Sequence, residues 1–260
     1  MFLLNKNILL ALLTVLFFWG IIVISYKSWI SIGFIVFFLL IICIINVEYR
    51  FLSSLFTAFL VSFLLYQLTN IFLDTYEMSR ELRILLNRGS IFIIVVGLCV
   101  VHLFNKKKIS FYNNKPNLNS RIVMPFHSIK LSYFLLIGII ISGISFIPFI
   151  LQQEFSYIKS MLIFCLLFSI INATLEELIW RGFMLSSLKK YVSTTCAIII
   201  TGIGFGLLHL AVGIPFIISL LFSFGGFFYA FVVIKTNSIY TAIIFHFVIN
   251  IGMVFSGLIL

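Results

Sequence analysis

The sequence predicts an all-α, polytopic transmembrane helical bundle of about eight to nine spans. Hydrophobic residues make up 63% of its 260 positions and charged residues only 9%, with a mean hydropathy of +1.26. A soluble domain carries about 25% charged residues, and needs them to cover its surface. The apolar residues also fall in runs of the right length, about 20 residues for a hydrocarbon core of ~30 Å. Finally, these runs lack the alternation of barrel strands, and in lipid only helices and closed barrels satisfy their own backbone polar groups. The 32 Phe residues suit a lipid-facing perimeter.

Nine runs are read as spans: 8–25, 29–46, 51–73, 90–104, 131–151, 158–182, 196–211, 213–234 and 239–258. The first follows Lys6 but leads to no small-x-small cleavage site, so it is a span rather than a signal peptide. Tight connections at Tyr26–Trp29 and Glu48–Arg50 imply helical hairpins. Two polar stretches, 74–90 and 105–130, interrupt the pattern. The second holds Lys106, Lys107, Lys108, Lys115, Arg121 and Lys130 with no acidic residue, which marks a cytoplasmic loop. It separates N-terminal helices over 1–104, with no assignable role, from a helical core over 131–258. Counting spans outward from it puts Lys189, Lys190, Lys235 and the N-terminus on the cytoplasmic side, and the uncharged Ala211–Ile214 turn and the C-terminus on the other.

The net charge of +10 sits between the apolar runs, which points to positive-inside topology and anionic lipid headgroups as partners. No basic patch is interleaved with base-reading residues, so nucleic acid is not an expected partner. Cys43, Cys99, Cys165 and Cys196 form no Cys-x-x-Cys pair, so neither a thiolate zinc site nor a redox motif is indicated.

Ionisable groups inside a membrane cost about 2.5–3.5 kcal/mol each on insertion scales, so those present are candidates for function. They cluster in three places. The first is Glu176-Glu177-Leu178-Ile179-Trp180-Arg181-Gly182. Arg181 stands four residues after Glu177, on the same helix face, and the two read as an ion pair. Glu176, about 100° round the helix, is left without an evident partner. The second is Phe205-Gly206-Leu207-Leu208-His209 and the third is His246-Phe247-Val248-Ile249-Asn250. From Lys190 inward, Glu176 is about 21 Å deep, and from Cys196 inward His209 is about 20 Å deep, at 1.5 Å per residue. His246 lies only about 10 Å from Ile239 on the same rise, which fits less well. A lone His on an apolar helix is ordinarily a packing residue, but two of them with an unpaired Glu form a hydrolytic set. Glu can act as general base toward water. His and Asn can orient that water or hydrogen-bond the oxyanion that forms on a scissile carbonyl. Alternatively Glu176, His209 and His246 could hold Zn²⁺ with a position open to water, although no His-Glu-x-x-His helix is present.

Glu-Glu-x-x-x-Arg, Phe-x-x-x-His and His-x-x-x-Asn, in that order and on separate helices, resemble the CPBP group, the CAAX proteases and bacteriocin-processing enzymes also called Abi proteins. The resemblance covers roughly residues 130–255 and extends to Phe224-Gly225-Gly226 and Lys235-Thr236-Asn237-Ser238-Ile239. It implies an intramembrane endopeptidase in which Glu176 activates water with His209, His246 and Asn250 form the oxyanion site, and Glu177 and Arg181 hold the site in shape. It leaves metal dependence open. The expected partner is a membrane-associated peptide or protein, cut near the cytoplasmic side in a cavity reachable from there. The rival readings are a scaffold or bacteriocin-immunity protein of the same fold, and a proton-coupled transporter using Glu176 and His209 as a relay. No inverted hydropathy repeat supports the last. Richness in Phe, Ile and Asn points to an AT-rich bacterial genome and hence a bacterial cell membrane.

Overall fold

A computed structural model describes residues 6–123 and 126–259. Residues 1–5 of the N-terminal segment and 124–125 of the basic loop lie outside them. The helices are α1 (Lys6–Ser25), α2 (Trp29–Ile45), α3 (Arg50–Leu73), α4 (Arg80–Ser90), α5 (Phe92–Phe104), α6 (Leu131–Ile150), α7 (Phe155–Glu177), α8 (Ser186–Leu188), α9 (Thr194–Leu208), α10 (Phe216–Thr236) and α11 (Ile239–Phe255). A π-helical stretch, Leu178–Leu185, joins α7 to α8, and a 3₁₀ turn, His209–Val212, follows α9. Among the described residues, seven runs are long and apolar enough to cross a membrane, and α2 and α11 are shorter apolar helices. The chain is an all-α polytopic membrane bundle.

The core is aromatic. Phe17 of α1 stacks on Phe56 of α3 with centroids 4.3 Å apart, and Phe59 packs on Trp180 at 5.2 Å. Large apolar side chains such as Phe34, Phe37, Ile141 and Ile163 are exposed on the outside, where lipid rather than water receives them.

Three parts differ from the sequence expectation. Residues 80–90, read as part of a polar interruption, form the amphipathic helix α4, capped by the Ser79 hydroxyl, which accepts from Leu82 N. With α5 it makes one 25-residue run, Arg80–Phe104. The run read as 158–182 begins at Phe155 and continues through the π-helical stretch to Leu188. The basic loop contains a short antiparallel hairpin, β1 (Arg121–Val123) with β2 (Ser128–Lys130).

Hydrogen bonds define two ends of the bundle. At one, Lys6 pairs with Glu48, Lys190 donates to Lys108 O, Lys235 donates to Val123 O, and Ile239 N donates to Tyr112 O. At the other, Gln153 donates to Ser256 O and Tyr157 to Val254 O. The 105–130 segment lies across the first end, where Phe111 packs edge-on against Phe183 at 5.2 Å.

Helices α9 and α10 meet backbone to backbone. A Cβ at Gly226 would lie 2.7 Å from Gly202 Cα, and one at Gly206 2.6 Å from Ser219 O. Small residues permit this approach in membrane helices. Gly226→Ala should therefore push the two helices apart at a cost of about 1–3 kcal/mol, the usual range for overpacking. A lower thermal midpoint in detergent checks this, and an unchanged midpoint would mean that the seam yields without cost.

Candidate active site

The Glu-Glu pair lies at the end of α7, where the helix widens into its π-helical stretch. Such stretches recur at functional sites because they re-aim side chains that a regular α-helix would stack. The two carboxylates point to different places. Glu177 is fully buried, and its Oε1 accepts from Arg181 Nη1 at 3.0 Å and from His246 Nδ1 at 2.9 Å. Arg181, also fully buried, donates Nη2 to Gly226 O at 2.8 Å. Its guanidinium sits over the Phe205 and Tyr229 rings, 4.9 and 5.3 Å from their centroids. The expected Glu177–Arg181 ion pair is thus present and ties α7 to α10.

Glu176 instead faces a cavity of about 780 Å³ lined also by His209, His246, Asn250, Arg88 and Tyr229. Neither Glu177 nor Arg181 lines it. The sequence left Glu176 unpartnered. The structure supplies Arg88 of α4, whose Nη1 lies 3.5 Å from Glu176 Oε1. Glu176 Oε2 is 3.7 Å from His246 Nε2 and accepts no hydrogen bond among the described residues.

Both imidazoles are held by their Nδ1 atoms. A carbonyl oxygen only accepts, so His209 Nδ1 carries the hydrogen it gives to Phe205 O at 3.0 Å, which leaves Nε2 for the cavity. The His209 ring stacks on Phe222 at 4.2 Å. Likewise His246 Nδ1 carries the hydrogen donated to Glu177, and its ring stacks on Tyr229 at 5.0 Å. Asn250, one turn beyond on α11, is buried, and its Nδ2 finds no acceptor among the described residues. The four residues the sequence singled out therefore share one cavity.

His246 arrives at that depth because α11 starts deep. Ile239 reaches the position of Gly182, where an added Cβ would lie 3.8 Å from Ile239 Cδ1. Seven residues of α11 then bring His246 level with Glu176, six residues before Gly182. The Tyr112 carbonyl, tucked in from the basic loop, receives the Ile239 N–H and allows this start.

Residues 157–252 match the family model described as type II CAAX prenyl endopeptidase Rce1-like. Over this segment the chain is similar to that family. The match spans Glu176, Glu177, Arg181, His209, His246 and Asn250 and implies a peptidase built into a membrane bundle. No curated protein and no solved structure matches the chain. Among the described residues, no three His, Cys, Asp or Glu are grouped to hold a metal. The Arg88 guanidinium also sits against the very carboxylate a zinc ion would need.

Arg88 lies outside the matched segment, as do Asn70 and Lys27, which also line the cavity. The sequence signal for Arg88 was its place in the amphipathic pattern of 80–90, which pairs a polar face with Leu82, Leu85 and Leu86. The cavity mouth also departs from expectation. It runs to the end carrying Lys27, Asp74, Arg80 and Arg83, away from the 105–130 loop, because that loop covers the opposite end.

Proposed function

We propose that the chain is an intramembrane endopeptidase that uses water activated by Glu176, without a metal. The observation that supports this most is the division of labour between adjacent carboxylates: Glu177 Oε1 accepts from Arg181 and His246 away from the cavity, while Glu176 lines the cavity, its Oε2 without a hydrogen bond among the described residues. In this reading a water lies between Glu176 and His209 Nε2. Glu176 takes its proton as the oxygen attacks the peptide carbonyl carbon. Negative charge then develops on the carbonyl oxygen, Asn250 Nδ2–H donates to it, and His246 completes the oxyanion site. Collapse breaks the C–N bond, and the proton held by Glu176 passes to the leaving amine. Arg88 positions the Glu176 carboxylate. The similarity to CAAX prenyl endopeptidases makes a lipid-modified C-terminal peptide one substrate candidate, beside peptide processing or self-immunity.

The test is hydrolysis of a peptide set by the purified full chain in lipid nanodiscs, read by mass spectrometry. Cleavage should persist in a strong zinc chelator. Loss in chelator with recovery on added zinc would refute the metal-free mechanism. An intact peptide set with well-folded protein would favour the scaffold or immunity reading.

A further inference from the structure

Resting on the endopeptidase reading, the structure allows the side from which substrate arrives to be assigned. The two ends of the bundle differ sharply in basic charge. The closed end carries Lys6, Arg50, the six basic residues of the 105–130 loop, Lys189, Lys190 and Lys235, eleven in all, against a single acidic residue, Glu48. The open end carries five basic residues, Lys27, Arg80, Arg83, Arg88 and Lys159, against four acidic ones, Asp74, Glu77, Glu81 and Glu154. Orientation follows the excess of Lys and Arg in short connections, and acidic residues contribute little to it. The connections at the closed end are all short enough for the rule, the longest being 105–130.

The cavity belongs to the open end. Its lining runs from Glu176 and His246 out to Lys27, Asp74, Arg80, Arg83 and Leu258. His209 itself lies four residues before Gly213, the turn at that end, where φ is +86°. On the other side the path is filled: Trp180, Phe183 and Leu188 are fully buried, and Tyr112 is held against Ile239.

We infer that the cavity opens to the extracytoplasmic face. The substrate class that fits is a peptide bond presented on that half of the bilayer, in an exported or membrane-inserted chain. A lipid-modified tail anchored at the cytoplasmic leaflet would meet the covered end.

The experiment uses the full chain in intact cells, with Cys196, the exposed native thiol, changed to Ser. Two single cysteines are added, Glu77→Cys beside the mouth and Ser110→Cys in the basic loop, both exposed positions. A membrane-impermeant maleimide should label Glu77→Cys from outside at least tenfold faster than Ser110→Cys, and the order should reverse in inverted vesicles. Faster labelling of Ser110→Cys in intact cells would overturn the inference, as would equal labelling of both. Labelling needs no turnover, so the orientation stands or falls separately from the peptidase reading.

Discussion

Glu176→Gln should lower peptide hydrolysis by about 10²–10⁴-fold, the range that a positioned general base supplies, while leaving the thermal midpoint close to that of the parent protein. The substitution keeps the size of the side chain and one carbonyl oxygen near Arg88. It removes the atom able to take a proton from water. The stability cost should be small because the Arg88–Glu176 contact is long, at 3.5 Å, and Arg88 retains 16% side-chain exposure toward the cavity. Single-turnover assays on the purified variant would measure the loss. Cleavage at the parental rate would refute the mechanism outright.

Glu177→Gln and Arg181→Ala should act in the opposite way, through the fold. Each breaks an ion pair whose two side chains are wholly out of solvent. Removing one partner of such a pair costs about 3–5 kcal/mol, since it strands a charge where nothing solvates it. Arg181→Ala also removes the donor to Gly226 O and the cation lying over Phe205 and Tyr229. Thermal midpoints should drop substantially, with activity falling alongside. The double variant Glu177→Gln/Arg181→Ala carries no stranded charge and should be less destabilised than the two losses added together, a coupling that a double-mutant cycle measures. A Glu177→Gln protein of parental stability and no activity would move Glu177 into the chemistry.

Much of this site was legible in the sequence because a membrane exaggerates polarity. Glu176, His209, His246 and Asn250 stand out in apolar runs, and i,i+4 spacing alone pairs Glu177 with Arg181. The helices followed from run length, within a few residues at most ends. What could not be read was depth and long-range pairing. Rise per residue placed His246 too shallow, because nothing in the sequence shows Ile239 starting beside Gly182 under the Tyr112 carbonyl. Arg88 pairs with a residue 88 positions away, and its helix is too polar to resemble a span. The π-helical widening after Glu177 has no recognisable pattern in Leu178–Leu185. Which end of the bundle opens could not be read either, because loop charge does not tell which end a loop has sealed.

One atom links two properties usually treated apart. Glu177 Oε1 accepts both the Arg181 guanidinium, which fastens α7 to α10, and His246 Nδ1, which fixes how the imidazole faces the cavity. In the proposed mechanism, durability and turnover thus rest on a single oxygen. A change that loosens the joint also frees the ring to turn, so the two properties are coupled through this oxygen. Changes that tune peptide choice without loosening the bundle are therefore expected on the cavity wall rather than in this buried corner.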